Sequence, residues 1–327
     1  MRNQREIGSE FWCVPTGESE NIFPNDTKWF ISGRSALQAI IQENDFKTVW
    51  MPDWCCESML RPFGDAGINI KFYPVIEGVE WENVSQEDAV FVMDYFGYAS
   101  RMQERRKKGV IIRDVTHSLF SFRHDDANYY FGSLRKWAGF WTGGYAWGLT
   151  RDVQYQENAT DFVSLRKRAM EEKALYIKGE MTDKGYLSLF EKAEEELEEI
   201  GILPADKRDI ELADKLNVKF IREQRRKNAQ VLLDAFSEIA VFPKLEREDC
   251  PMFVPIRVKN RDALRKYLIQ KEIYCPIHWP KSQYHRVSKE TEEIYDEELS
   301  LVCDQRYTEG DMERLVASIK EFWMKGT

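Results

Sequence analysis

The sequence predicts an α/β protein: a three-layer α/β/α large domain on a mostly parallel sheet, followed by a small C-terminal α+β domain. Three observations predict it. From residue 47 to 133, short runs of β-branched and aromatic residues alternate with helical stretches, the pattern of βαβ units. The residues with chemistry to offer fall at the ends of those runs, which is where open α/β sheets bind ligands. From Val241 onward the pattern becomes two further strands, a helix between them and an amphipathic terminal helix. A chain of 327 residues is long enough for one large domain and one smaller one.

In order, residues 1–27 contain Pro15, Gly17 and Pro24 and read as an arm packed on the large domain, which spans 28–240. Phe30 and Ile31 lead into Ser32-Gly33-Arg34-Ser35 and then Ala36-Leu37-Gln38-Ala39-Ile40-Ile41, a turn feeding an apolar helix. Backbone amides at such a helix start suit a phosphate and Ser35 adds a hydroxyl, although a serine cap alone would give the same pattern. Lys47–Met51 is a strand stopped by Pro52, and 57–66 a helix stopped by Gly67. Strands follow at 68–75, 89–94, 110–114 and about 129–133, with a polar helix at 100–108. Residues 161–200 and 210–239 are helical, and the acidic run 194–199 is a solvated face. The small domain covers 241–327, with strands at 253–258 and 272–277 and helices at 261–270 and 311–324.

Lys136 stands out. It lies in Phe-Gly-Ser-Leu-Arg-Lys-Trp-Ala-Gly-Phe-Trp-Thr-Gly-Gly (131–144), among aromatics and glycines. Those neighbours predict a desolvated site, which favours a neutral amine, the form that attacks carbonyl carbons. The bland alternative is a lysine snorkelling from the rim of an aromatic core. Asp114 ends the Val110-Ile111-Ile112 run, 22 residues before Lys136. A lysine that bonds pyridoxal phosphate needs such a carboxylate for the pyridinium nitrogen. His117 follows three residues later, within reach of the cofactor's phenolic oxygen or of Asp114. Asp114 as a cap over Thr116 is the equal alternative.

Asp-Val-Thr-His (114–117), Ser-Leu-Arg-Lys (133–136) and Gly-Gly (143–144) together resemble the DegT/DnrJ/StrS family of pyridoxal-phosphate aminotransferases, which have the aspartate aminotransferase fold, fold type I. Phe-Ile-Ser-Gly-Arg-Ser-Ala-Leu (30–37) is similar to the family's phosphate turn, and Val-Trp-Met-Pro-Asp-Trp-Cys-Cys (49–56) to its strand-Pro-aromatic segment. The resemblance returns at Tyr-Cys-Pro-Ile-His-Trp-Pro (274–280) and at 299–308, and it is absent from 151–240. It implies pyridoxal 5'-phosphate held by Lys136, with Asp114 and His117 as its catalytic partners. Gly33, Arg34, Ser35 and Ser133 would bind the phosphate. Trp54 or Cys56 would stack on the ring, with Cys56 standing where the family commonly has an aromatic. The resemblance also implies a homodimer, an amino donor and a keto acceptor, for instance a nucleotide-linked keto sugar. His278 and Arg306 are candidate substrate contacts, against a turn histidine and a helix anchor. A fold-type-I protein acting as a sensor or assembly partner, and a pyridoxal-phosphate enzyme with other chemistry at Cα, stay open.

Charge and composition narrow the field further. Forty-seven basic against 56 acidic side chains give −9, which argues against a nucleic-acid partner. No apolar run approaches the roughly 18 residues of a membrane span, and the N-terminal residues show no secretion signal, so a cytoplasmic location is expected. The six cysteines (13, 55, 56, 250, 275, 303) follow no zinc spacing and are expected to be free thiols; the four histidines suggest no metal site.

Overall fold

The strand Ala-Val-Phe-Val-Met at 89–93 is buried at every residue, as a parallel strand covered on both faces must be. The computed structural model describes residues 6–18, 20, 22–76, 78–98, 108–121, 127–157, 160–282 and 284–326. In chain order its elements are β1 (Ile7–Gly8), β2 (Lys28–Phe30), α1 (Gly33–Glu43), β3 (Thr48–Pro52), α2 (Glu57–Asp65), β4 (Asn69–Tyr73), β5 (Ala89–Met93), β6 (Val110–Asp114), β7 (Tyr129–Ser133), β8 (Gly144–Trp147), α3 (Phe162–Lys178), α4 (Tyr186–Glu199), α5 (Lys207–Ala213), α6 (Val218–Phe236), β9 (Phe253–Arg257), α7 (Arg261–Gln270), β10 (Ile273–Tyr274), α8 (Lys289–Glu297), β11 (Glu298–Val302) and α9 (Glu309–Met324). The polar helix expected at 100–108 lies, except for Lys108, outside the described residues.

The chain divides into two compact units. The first takes Met1–Ser9, Phe46–Asn128 and Lys219–Thr327. Its strands β4, β3, β5 and β6 lie side by side in that order and run parallel, with Met93 opposite Asp114 in register. The strand ends that carry Asp53, Asp94 and Asp114 therefore sit at one edge, the edge where parallel sheets bind ligands. The loop after β5 turns at Gly97 (φ +81°), where an added Cβ would lie 2.0 Å from the Cys250 carbonyl oxygen. Only glycine tolerates both that backbone and that approach. The later part of this unit pairs β9 with β11 antiparallel and β1 with β10 parallel. Its own core gathers Leu232, Leu233 and Phe236 of α6, Leu264 and Leu268 of α7, Leu299 and Leu301 of β11, and Leu315 and Ile319 of α9. The strand expected at 272–277 is reduced to β10, because Pro276 has no amide to give a ladder.

The second unit takes Glu10–Asp45 and Tyr129–Val218. Here β2, β8 and β7 lie in that order, antiparallel throughout, with α1 packed on them. The helical stretch expected at 161–200 is two helices. Gly179, left-handed at φ +80°, stops α3, and α4 returns antiparallel to it after Gly185. The stretch at 210–239 likewise divides, at the turn between α5 and α6.

Candidate active site

The second unit holds the phosphate-type turn and the lysine. Ser32 is extended (φ −151°, ψ 163°) and its hydroxyl accepts from the Ser35 amide at 3.1 Å, which starts the 11-residue helix α1. Gly144 is required beside it, since a Cβ there would lie 2.0 Å from the Ser32 carbonyl oxygen. The turn is thus pinned backbone against backbone, with the positive end of α1 at Gly33 and Arg34. The Ser35 hydroxyl donates to the Gly201 carbonyl at 2.6 Å. The Arg34 guanidinium donates to the Leu197 carbonyl at 3.3 Å, in the last turn of α4.

Ser133, half-buried, ends β7 and opens a short 3-10 turn over Leu134–Lys136. Leu134, Trp137, Ala138 and Phe140 are fully buried, while Lys136 is exposed. The desolvated lysine expected from the sequence is therefore corrected: the flanking aromatics turn inward and leave the amine in water. What the structure supplies instead is bracing. Arg135 pairs with Glu194 of α4. The buried Arg166 of α3 reaches Glu194 at 3.1 Å, Glu10 at 3.6 Å and the Phe140 carbonyl at 3.5 Å. The Gly139 amide donates to the Cys13 carbonyl at 2.8 Å. Burial brings Arg166 down to about 10, with Arg135 adding to the fall and Glu10 and Glu194 opposing it. Burial raises the Glu10 carboxyl, but Arg166, Arg135, Lys136 and Lys173 outweigh that and hold it below the usual carboxylate range. The α3–α4 pair, which matches no part of the resemblance, thus fixes the turn that carries Lys136.

The first unit holds the other candidates. Asp114 is buried at the end of β6, and its Oδ1 accepts from the Thr116 amide at 2.8 Å. That bond satisfies the capping alternative locally, yet no helix begins there among the described residues. Its neighbour Arg113 is spent on Asp94, at 3.0 and 2.7 Å. The buried His117 ring stacks on Trp279 (5.7 Å, 21°) and lies near Phe96 (5.3 Å). Trp54 is 2% exposed, stacked on Tyr95 (4.9 Å, 12°), and its Nε1 donates to the His278 carbonyl at 2.7 Å. One of its faces is therefore already covered. Cys56, half-buried, caps α2 and accepts from the Ser58 hydroxyl at 3.0 Å. Cys55 Sγ lies 3.6 Å from His285 Nε2, but burial pushes the thiol well up and the imidazole down, so this pair is no thiolate nucleophile.

His278 joins His117 in one aromatic cluster, ring centres 5.7 Å apart. Arg306 does not join it. Its guanidinium is buried against Asp304 (2.9 and 2.8 Å) and donates to the Ser9 carbonyl, which is the anchoring alternative. Arg306→Ala is expected to cost about 3–5 kcal/mol of stability, because Asp304 loses its nearest cation. Chemical denaturation reads that loss, and KM for any substrate should stay unchanged. A raised KM at unchanged stability would contradict the anchoring role.

Sequence reasoning missed Trp279, Phe96 and the buried Glu298. Burial pushes the Glu298 carboxyl up to about 8, against the pull of Ser300, the His278 amide and Arg261. An unfolded glutamate titrates near 4.5, so the fold favours the protonated form. The stability this gives is complete below that value and is lost as pH rises through about 8. Between about pH 6 and about pH 8 the loss is at most about 3 kcal/mol. Glu298→Gln cannot ionise, and its denaturation midpoint should fall less than wild type's over that range.

No sequence-family profile and no curated protein sequence matches this chain. Solved structures do. A DegT DnrJ EryC1 StrS aminotransferase from Brucella abortus superposes with a TM-score of 0.59 at 17% identity, covering 90% of this chain and 85% of its own. The sugar aminotransferase CalS13 from Micromonospora echinospora gives 0.61 at 14%, covering 90% and 87%. NtdA from Bacillus subtilis, solved with bound cofactor PMP, gives 0.61 at 12%, covering 90% and 72%. At these identities the likeness establishes architecture: the chain has the α/β fold of these aminotransferases, fold type I.

Proposed function

We propose that this chain is a pyridoxal-phosphate-dependent aminotransferase of the DegT/DnrJ/StrS kind, moving an amino group from an amino acid to a keto sugar, with a nucleotide-linked sugar as the acceptor class. The observation that carries the reading is a buried carboxylate, Asp114, at the end of a parallel strand, followed 22 residues later by a lysine held on a braced turn. The names of the similar structures, sugar aminotransferases among them, support the acceptor class. The residues fit the cofactor on their chemistry. Lys136 is exposed and open to an aldehyde, Asp114 is a buried carboxyl for a ring cation, and the backbone at Gly33 and Arg34 sits at a helix start.

When bound, pyridoxal phosphate supplies an electron sink for the substrate's Cα. Lys136 would hold the group through its amine and, as a free amine, would carry the proton to and from the substrate's Cα as general base and acid. Asp114 would keep the ring nitrogen protonated. His117 would donate toward the phenolic oxygen. The amides of Gly33 and Arg34, with Ser133, would hold the phosphate. Trp54 or Cys56 would stack on the ring; that Trp54 already has Tyr95 on one face favours Cys56. A large domain at 28–240, a small one at 241–327, a homodimer and a cytoplasmic location belong to the same proposal. The shared core of α7, β11 and α9 supports a small domain there, although α6, from within 28–240, packs into the same core. No described helix is long and apolar enough to cross a membrane.

The test is a screen of amino donors against nucleotide-linked and free keto sugars, read by mass spectrometry of the aminated product. Amination of a sugar supports the reading. Donor consumption that yields only an eliminated or decarboxylated product would replace it with other Cα chemistry.

A further inference from the structure

His278, Ser300 and Glu298 form a closed hydrogen-bonded group in the first unit. His278 Nδ1 lies 2.8 Å from Ser300 Oγ. Ser300 Oγ bonds Glu298 Oε1 at 2.5 Å, and Glu298 Oε2 accepts from the His278 backbone amide at 2.7 Å. Glu298 and Ser300 are two apart on β11, hence on one face of the strand, and both are fully buried. The His278 ring is set among Phe253 (4.8 Å), Trp279 (5.3 Å), Phe96 (5.4 Å) and His117 (5.7 Å).

A serine hydroxyl has one proton to give, so this group has a direction. If Glu298 is ionised, Ser300 donates to it and must accept from Nδ1–H. If Glu298 is protonated, it can donate to Ser300, which then donates to a bare Nδ1, leaving the ring proton on Nε2. Few other charges face the group. Arg261 donates to the Glu298 backbone carbonyl at 3.1 Å, and Cys275 is a buried thiol nearby. Arg257 is opposite Glu298 in register but its guanidinium is held by Glu293 and Glu297. On the side of β6 the titratable neighbour is His117 itself.

We propose that Glu298, Ser300 and His278 are a buried proton relay in which the charge of Glu298 decides which nitrogen of His278 carries the proton beside His117. In the working step, Nε2 gives its proton to a basic oxygen or nitrogen of a bound substrate. Nδ1 takes the Ser300 proton, Ser300 takes the Glu298 proton, and Glu298 is left a carboxylate. One proton leaves and no heavy-atom bond changes. His278 is thereby the catalytic acid of that step and Ser300 and Glu298 its positioning residues, a role that rests on the aminotransferase reading, whereas the relay itself does not.

The experiment is 15N NMR of the histidine rings in the purified protein from about pH 6 to about pH 10, since nitrogen shifts separate a protonated ring nitrogen from a bare one. Wild type, Glu298→Gln and Ser300→Ala are compared, with only four histidines to assign. In wild type the His278 proton should move from Nε2 to Nδ1 with a midpoint near the Glu298 value, about 8. In Glu298→Gln the His278 pattern should stay flat. In Ser300→Ala, Glu298 should still titrate while His278 no longer follows it. A His278 pattern that is constant in folded wild type, or that titrates identically in Glu298→Gln, overturns the relay. Coupled titration in a protein that never binds pyridoxal phosphate upholds the relay and overturns the aminotransferase reading.

Discussion

Lys136→Ala is expected to reduce transamination by at least about a thousandfold, at the upper part of the range for loss of a general acid–base group, and to remove the visible absorption of a lysine-bound cofactor. The variant should fold as wild type does. Lys136 is exposed, and substitutions at exposed positions away from caps and cores usually change stability by under about 0.5 kcal/mol. The turn beneath it keeps the buried Trp137, the Arg135–Glu194 pair and the Arg166 bonds. Far-UV circular dichroism and a denaturation midpoint check this. The absorption spectrum and the rate then report chemistry alone. Residual turnover within tenfold of wild type would remove Lys136 from the mechanism.

Asp114→Asn is expected to lower turnover by about a hundredfold to a thousandfold while leaving the lysine linkage intact. The loss is that of one oriented charge in a water-poor site. Asn can still accept from the Thr116 amide with its carbonyl, so the local turn at the end of β6 persists. Asp114 is buried at the end of β6, beside an Arg113 that is bound to Asp94. The measurement is single-turnover kinetics with a good donor. A rate within threefold of wild type would reduce Asp114 to a cap.

How far the sequence carries depends on whether a feature is local. The central parallel strands were readable because they are short apolar runs, as in 89–93 and 110–114. β8 was not, because its four residues begin with a glycine that reads equally well as a ligand approach. The split of α3 from α4 depends on Gly179 adopting a left-handed backbone, which a helical pattern does not announce. In the site, the order Asp114, His117, Lys136 was legible. The fates of Arg34 and Ser35 were not, because their partners lie 163 and 166 residues away, at Leu197 and Gly201. The exposure of Lys136 was hidden too: aromatic neighbours in an irregular turn carry no periodicity to say which way they face. Glu298 and Ser300 had a usable signal, polar residues two apart in Glu-Leu-Ser-Leu-Val, a strand pattern that puts both on one face.

The central claim is that one lysine of this chain bonds the cofactor. The measurement that tests it most directly is borohydride reduction of the protein incubated with pyridoxal phosphate, followed by proteolysis and peptide mass spectrometry. The account predicts a pyridoxyl group fixed on the peptide containing Lys136 at near one per chain. A label spread over other surface lysines, or on the buried Lys173 near the same turn, with Lys136 unmodified, would contradict it.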